Sequence, residues 1–155
     1  MLHIGAEGLG FLRAAPAGGA IIMSFYQAHN PIFKNAGRNV LFCVFAFGIC
    51  IIVFALMTNF YAAIFVLMLS GAVDNVSVVV RHTIVQLFTP DEMRGRVSSV
   101  NSIFIGSSNE LGSFESGLAA KLMGLIPSII FGGSMTLITV AAVRKLAPAL
   151  RKLKL

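Results

Sequence analysis

Between Asn39 and Thr58 the chain reads NVLFCVFAFGICIIVFALMT, a run with no charge at all. A helix rises about 1.5 Å per residue, so such a run covers the roughly 30 Å hydrocarbon core of a bilayer. The remainder of the 155 residues points the same way: 57% are apolar and 12% charged, against about 25% charged in an ordinary soluble domain. Twelve Lys/Arg and six Asp/Glu are too few to coat a soluble globule of this size. Disorder, a collagen-like repeat and a disulfide scaffold are excluded by the same figures. Cys43 and Cys50 lie seven residues apart inside this apolar run, about 10 Å along one helix face, too far to bridge within the helix. They read as packing residues.

The pattern predicts an all-α membrane protein with five transmembrane helices, at about 9–28, 39–58, 60–88, 97–123 and 126–144, followed by a cytoplasmic tail at 145–155. The segments 39–58 and 126–143 are charge-free, which places them toward lipid. The first is the least regular, with Arg13, Pro16 and the pair Gly18-Gly19. The joints are short: a polar loop from His29 to Arg38, a turn at Met57 to Phe60, the charged loop TPDEMRGR from Thr89 to Arg96, and a turn at Gly124 to Pro127. Pro90 stops one helix there. Connections this short make neighbouring helices antiparallel.

Basic residues give the orientation. Lys34, Arg38, Arg94, Arg96, Arg144, Lys145, Arg151, Lys152 and Lys154 all fall on one side, and the opposite loops have none. That side is cytoplasmic, with the carboxy end, which leaves the amino end outside. The net charge of +6 is thus a topology signal and no indication of a nucleic-acid partner. Nothing before the first span resembles a cleavable signal peptide. An odd number of spans with a bare external start reads as a chain whose upstream helices are missing.

An ionisable group inside the hydrocarbon costs at least a few kcal/mol and needs a partner, a cavity or an interface. Asp74 lies fourteen residues into its span, about 21 Å deep, and Glu110 thirteen residues into the next, about 20 Å deep. These are the two main intramembrane candidates. Arg81 is either a snorkelling cation near the cytoplasmic boundary or a partner of Asp74 on the same face. His82 reads as interfacial, Glu115 as a candidate closer to the outer surface, and Lys121 as a headgroup contact. At 100° per residue, Ser99, Ser102, Gly106, Asn109, Glu110, Ser113 and Gly117 share one sector of their helix, and Asn101, Ser108, Gly112 and Glu115 lie roughly opposite. One of these stripes is expected to contact a helix and the other to border a water-accessible cavity. Arg13 reads as an interfacial anchor or, on a broken helix, as a residue facing an anionic substrate. Asp91, Glu92, Arg94, Gly95 and Arg96 read as a solvated turn or as a gate whose ions pair in one state and part in another, with Gly95 supplying the bend. No glycine-rich phosphate cradle, metal-spaced His/Cys cluster or nucleophile elbow is present in the sequence, so no cofactor and no metal is expected.

The stretch TPDEMRGRVSSVNSIFIGSSNELGSFESG (Thr89 to Gly117), preceded by GAVDNVSVVVRHTIVQ (Gly71 to Gln86), resembles the last third of a major facilitator superfamily transporter. More narrowly, it is similar to the bacterial branch that contains the enterobactin exporter and the transmembrane secretion effectors. GAEGLGFLRAAPAGGA (Gly5 to Ala20) resembles the external loop and start of helix eight in that branch. KNAGR (Lys34 to Arg38) resembles the turn between helices eight and nine, which adds Gly37 and Arg38 to the gating candidates. The resemblance implies helices eight to twelve of a twelve-helix fold in a bacterial inner membrane. It also implies proton-coupled export of a small molecule, of siderophore or drug type. Alternating access uses two bundles, so the chain is expected not to transport alone and to need the missing amino-terminal helices or another membrane chain. The other readings are a five-span interaction or accessory protein and, with less support, an enzyme using Asp74 and Glu110 as an acid–base pair.

Overall fold

A computed structural model describes residues 5–30 and 36–146. They form five helices: α1 (Ala6–His29), α2 (Ala36–Leu56), α3 (Phe60–Phe88), α4 (Arg94–Met123) and α5 (Leu125–Leu146), with a one-turn 3-10 helix at Asp91–Met93 between α3 and α4. Lys34, Arg151, Lys152 and Lys154, and most of the expected tail, lie outside the described residues. The helix limits fall within a few residues of the apolar runs because local chemistry sets them. Asn59 caps α3, its Oδ1 accepting the Tyr61 N–H at 3.0 Å. Pro90 ends the α3 ladder, and its carbonyl accepts the Met93 N–H at 2.9 Å to start the one-turn helix. Gly124 adopts φ +87°, a conformation that L side chains rarely take, and turns α4 sharply into α5.

Three expectations need correction here. Arg94, Gly95 and Arg96 occupy the first turn of α4, and Gly37 and Arg38 the first turn of α2, so none of the five is a loop residue. Gly95 has no positive φ and supplies no bend; the proline and the 3-10 turn do. α1 is also unbroken, continuing through Pro16, Gly18 and Gly19 to His29. The count of five spans is met in part. α1, α2, α3 and α5 are each long and apolar enough to cross a membrane. α4 has the length, at 30 residues, but its polar residues and its charges (Arg94, Arg96, Glu110, Glu115, Lys121) keep it out of that group.

α3 is the central helix. α1 packs along one side of it and α2 along the other; α2 in turn carries α5, and α5 carries α4. The buried side of α3 is made of small or β-branched residues, Ala63, Ser70, Gly71, Val76, Ser77 and Val80. Val76 and Val80 join Cys43 of α2 in the core, with Met23 and Val40 packed against them. Both cysteines are buried and free. Without a hydrophobic drive between helices in lipid, close approach of backbones supplies the attraction, and small residues mark where it happens. At the α1–α3 crossing a β-carbon on Gly71 would collide with the Pro16 carbonyl oxygen, and one on Gly19 with the Met68 carbonyl oxygen. At the α2–α5 crossing a β-carbon on Gly133 would sit 2.6 Å from Ile52 Cγ1 and 3.2 Å from the Gly48 oxygen. Gly19 is therefore a packing glycine, and the sequence pair Gly18-Gly19 needs no break in α1.

The expectation that α2 lies on the lipid side holds for one face. Phe42, Phe45, Ile49 and Leu56 point outward, whereas Cys43, Gly48, Cys50 and Ala55 are buried against α3 and α5. α4 is different in kind: none of its residues is buried. Gly106, Gly112 and Gly117 have nothing within 4 Å of where a side chain would begin, so neither polar stripe meets a neighbouring helix at its glycines.

Candidate functional site

α3 and α4 are joined by only the short segment Thr89–Met93, yet they diverge, and a cavity of about 1110 Å³ opens between them. Val78, Val85, Val100, Phe104 and Ile105 give it apolar walls. Its polar groups are sorted along its length. Arg81 and His82 of α3 and Arg96 of α4 lie toward the joint, while Asp74 lies about two helical turns deeper on α3 and Ser108 and Asn109 more than three turns deeper on α4. A low-dielectric groove with cations at one end and a carboxylate at the other focuses field along its length. Such a groove can hold and orient an amphipathic solute with a polar group at each end. It contains no nucleophile paired with a base.

The helical register explains this sorting. Asp74, Val78, Arg81 and Val85 recur at spacings of three and four on α3, so they share one face. The next position, Asn75, faces α1 instead. Its Oδ1 accepts from Gln27 Nε2 at 2.9 Å and from Ser24 Oγ at 3.3 Å. Sequence reasoning passed over this amide cluster, although Gln27 is the lone amide of its apolar run.

The structure brings some sequence candidates together and separates others. Asp74, Arg81, Arg96 and Asn109 line one cavity. Asp74 and Arg81 are not ion-paired; the Arg81 Nε instead donates to the Ser77 carbonyl at 3.3 Å. Among the described residues the one ion pair is Asp91–Arg94, 2.9 Å apart and exposed in the turn beside the cavity. Glu92 and Gly95 are exposed there as well, while Gly37 is buried and Arg38 exposed at the start of α2. Glu110 and Glu115 are exposed on α4 and line no cavity found among the described residues, and Arg13 is exposed on α1, away from this one. Asp74 and Glu110 thus share no cavity found among the described residues.

Asp74 and Arg81 also border a second, smaller cavity of about 210 Å³ that adjoins the first, shared with Cys43 and Phe47 of α2, Ser77 of α3 and Thr136 of α5. Ser77 is 1% exposed, and its hydroxyl has no hydrogen-bond partner. Nothing in the sequence distinguished this serine, set in a run of valines, from a packing residue.

Compared with known proteins, the chain matches the transmembrane secretion effector family over residues 1–154. No curated protein and no solved structure matches it. With nearly its entire length covered by that family and four helices fit to cross a bilayer, the chain belongs to the transmembrane secretion effectors, multi-pass membrane transporters of the major facilitator superfamily.

Proposed function

We propose that these five helices form part of one bundle of a proton-coupled exporter of small molecules, of siderophore or drug type, in a bacterial inner membrane. The observation that carries this reading is the α3–α4 cavity, which has the deep carboxylate of Asp74 and the guanidinium groups of Arg81 and Arg96 on its walls. Asp74 holds the coupling proton or the polar end of the substrate, and Arg81 tunes it from two turns away. Asn109 adds a neutral hydrogen-bonding group at the same depth. Glu110, Glu115 and Arg13 serve the pathway from surfaces that other helices cover. The Asp91–Arg94 pair, Glu92 and Arg96, with Gly95, Gly37 and Arg38 at the neighbouring helix starts, act at the cytoplasmic gate.

Among the described residues, only α3, α4 and Met93 of the turn between them wall this cavity, and α4 has no buried residue. A polar helix bare on most sides is stable in lipid only against other protein or a water-filled path. α4 is accordingly the fifth span, shielded by further helices that complete the transporter. The amino end is then external and the carboxy end cytoplasmic.

The isolated chain reconstituted in vesicles is expected to give no proton-driven flux of a candidate siderophore or drug. Flux from this chain alone that Asp74→Asn abolishes would contradict the partial-bundle reading. The bareness of α4 also favours a second reading, a five-span accessory protein that docks through that helix. Cysteine crosslinking from positions 106 and 113 separates the two: a stable non-transporter partner trapped at both supports the accessory role.

A further inference from the structure

Arg81 does not snorkel. The Cα–Cβ bonds of a helix tilt toward its amino end, so a long side chain near the cytoplasmic end of α3 leans into the membrane. Arg81 follows that lean, its Nε donating to the Ser77 carbonyl one turn deeper at 3.3 Å. With 29 residues α3 is about 43 Å long, so centred on a hydrocarbon core of roughly 30 Å it overhangs by about 7 Å at each end. Arg81 and Ser77 lie seven and eleven residues from Phe88, which sets the guanidinium between about 4 and 10 Å inside that core. A charge held there calls for a group of opposite sign. Among the described residues Arg81 has no such partner: the one ion pair joins Asp91 to Arg94, and Asp74 on the same face is not in pairing distance.

The unused part of Arg81 is its fork. Nε takes one of five N–H donors, and the two Nη nitrogens keep four, in a plane that meets a carboxylate, sulfonate or phosphate with two bonds at once. Arg81 lines both the 1110 Å³ cavity and the smaller one beside it. Val78, Val100, Phe104 and Ile105 give the larger cavity apolar walls, and Arg96 stands toward its joint end, also without an ion pair among the described residues. We infer that Arg81 is the binding group for an oxyanion carried on an apolar body, the body lying along those walls. Arg96 adds a second positive charge on the cytoplasmic approach, so an anion is drawn inward from the mouth to the fork. This deepens the transport reading, on which it rests for calling the ligand a substrate, by naming the substrate class as acidic and amphipathic.

The test is a binding measurement on the full chain in phosphatidylcholine nanodiscs, with empty discs as the blank. The probes are 1-anilinonaphthalene-8-sulfonate, an amphipathic oxyanion, and N-phenyl-1-naphthylamine, the same skeleton without the sulfonate, both read by fluorescence. The sulfonate is expected to bind saturably and Arg81→Gln to weaken it by about tenfold or more, while the neutral amine changes by less than about twofold. Arg81→Lys keeps the charge and loses the fork; it is expected to weaken the sulfonate by about threefold or more, and it decides the matter if the glutamine variant binds neither probe. Asp74→Asn removes the neighbouring negative charge and is expected to bind the sulfonate at least as tightly. No saturable sulfonate binding by the unmodified chain, sulfonate binding that survives both substitutions of Arg81, equal loss of the two probes in Arg81→Lys, or weaker binding in Asp74→Asn would overturn the inference. Repeating the titrations with phosphatidylglycerol in the discs identifies where the anion comes from. The ratio of unmodified to Arg81→Gln affinity holds for a soluble solute and falls to one for a lipid headgroup that occupies the fork. Flux measurements on Asp74→Asn judge the transport reading separately, since probe binding needs no transport.

Discussion

Replacing Gly71 by alanine adds one methyl group where the structure has no room for it. The new β-carbon would lie 2.6 Å from both the carbonyl carbon and Cα of Pro16, and closer still to the carbonyl oxygen. Carbon pairs are at their best separation near 3.5–4.0 Å, so α1 and α3 must part by about 1 Å. A gap of that size forfeits roughly a quarter to a half of each dispersion contact across the crossing. It also stretches the 2.9 Å Gln27–Asn75 bond beyond hydrogen-bonding range, about 0.6 kcal/mol for an average interhelical bond in a membrane. Together these place Gly71→Ala at about 2–3 kcal/mol destabilising, within the usual overpacking range. Gly19→Ala acts on the same crossing, so the double variant is expected to cost clearly less than the sum, because helices already parted admit the second methyl easily. Gly112→Ala, with open space around it, sets the baseline and should be neutral or stabilising by up to about 1 kcal/mol. Equilibrium unfolding in mixed micelles, titrated with a denaturing detergent and followed by helix content, reads all four. A Gly71→Ala variant as stable as Gly112→Ala, or strict additivity in the double variant, would refute the close crossing.

Other outcomes follow from single contacts. Asn75→Leu removes the acceptor shared by Gln27 and Ser24 and should destabilise by about 0.6–1.7 kcal/mol in the same titration. Asn59→Ala strips the cap from α3 and should cost about 1 kcal/mol, with the loss of helix signal confined to the first turn in hydrogen exchange. Asp91→Asn breaks an exposed, solvent-screened pair and should change stability by less than about 0.5 kcal/mol; any larger effect would show that the pair engages a partner outside this chain.

Charge and breakers made the helices legible. An uncharged run such as Ile126 to Val143 has few alternatives to a helix, and Pro90, Asn59 and Gly124 act through backbone rules that need no tertiary context. Proline and glycine inside α1 misled for the opposite reason. Their meaning depends on what lies across the interface, and only the α3 backbone at Met68 and Gly71 shows that Gly19 serves close approach. Gly95 misled in the same way, because the chain had already turned at Pro90. Depth along a span singled out Asp74, which lines the α3–α4 cavity, and the same argument offered Glu110, which the structure puts one position beyond the cavity-lining Asn109. Periodicity assigns faces to a helix; it does not say which face finds a neighbour. Ser77 lay beyond any such argument, since its significance is a missing partner.

The packing of α1 on α3, with α2 between them only in sequence, has a consequence for biosynthesis. Gln27 is made 48 residues before Asn75, the acceptor of its side-chain amide. At roughly 5–20 residues per second, that leaves it waiting about 2–10 s after synthesis. Throughout that interval α1 has neither its mate nor its tight crossing, and α2, which follows it out of the ribosome, is no substitute. The first helix of this chain must therefore be held at the insertion machinery, or drift in lipid, until the third arrives.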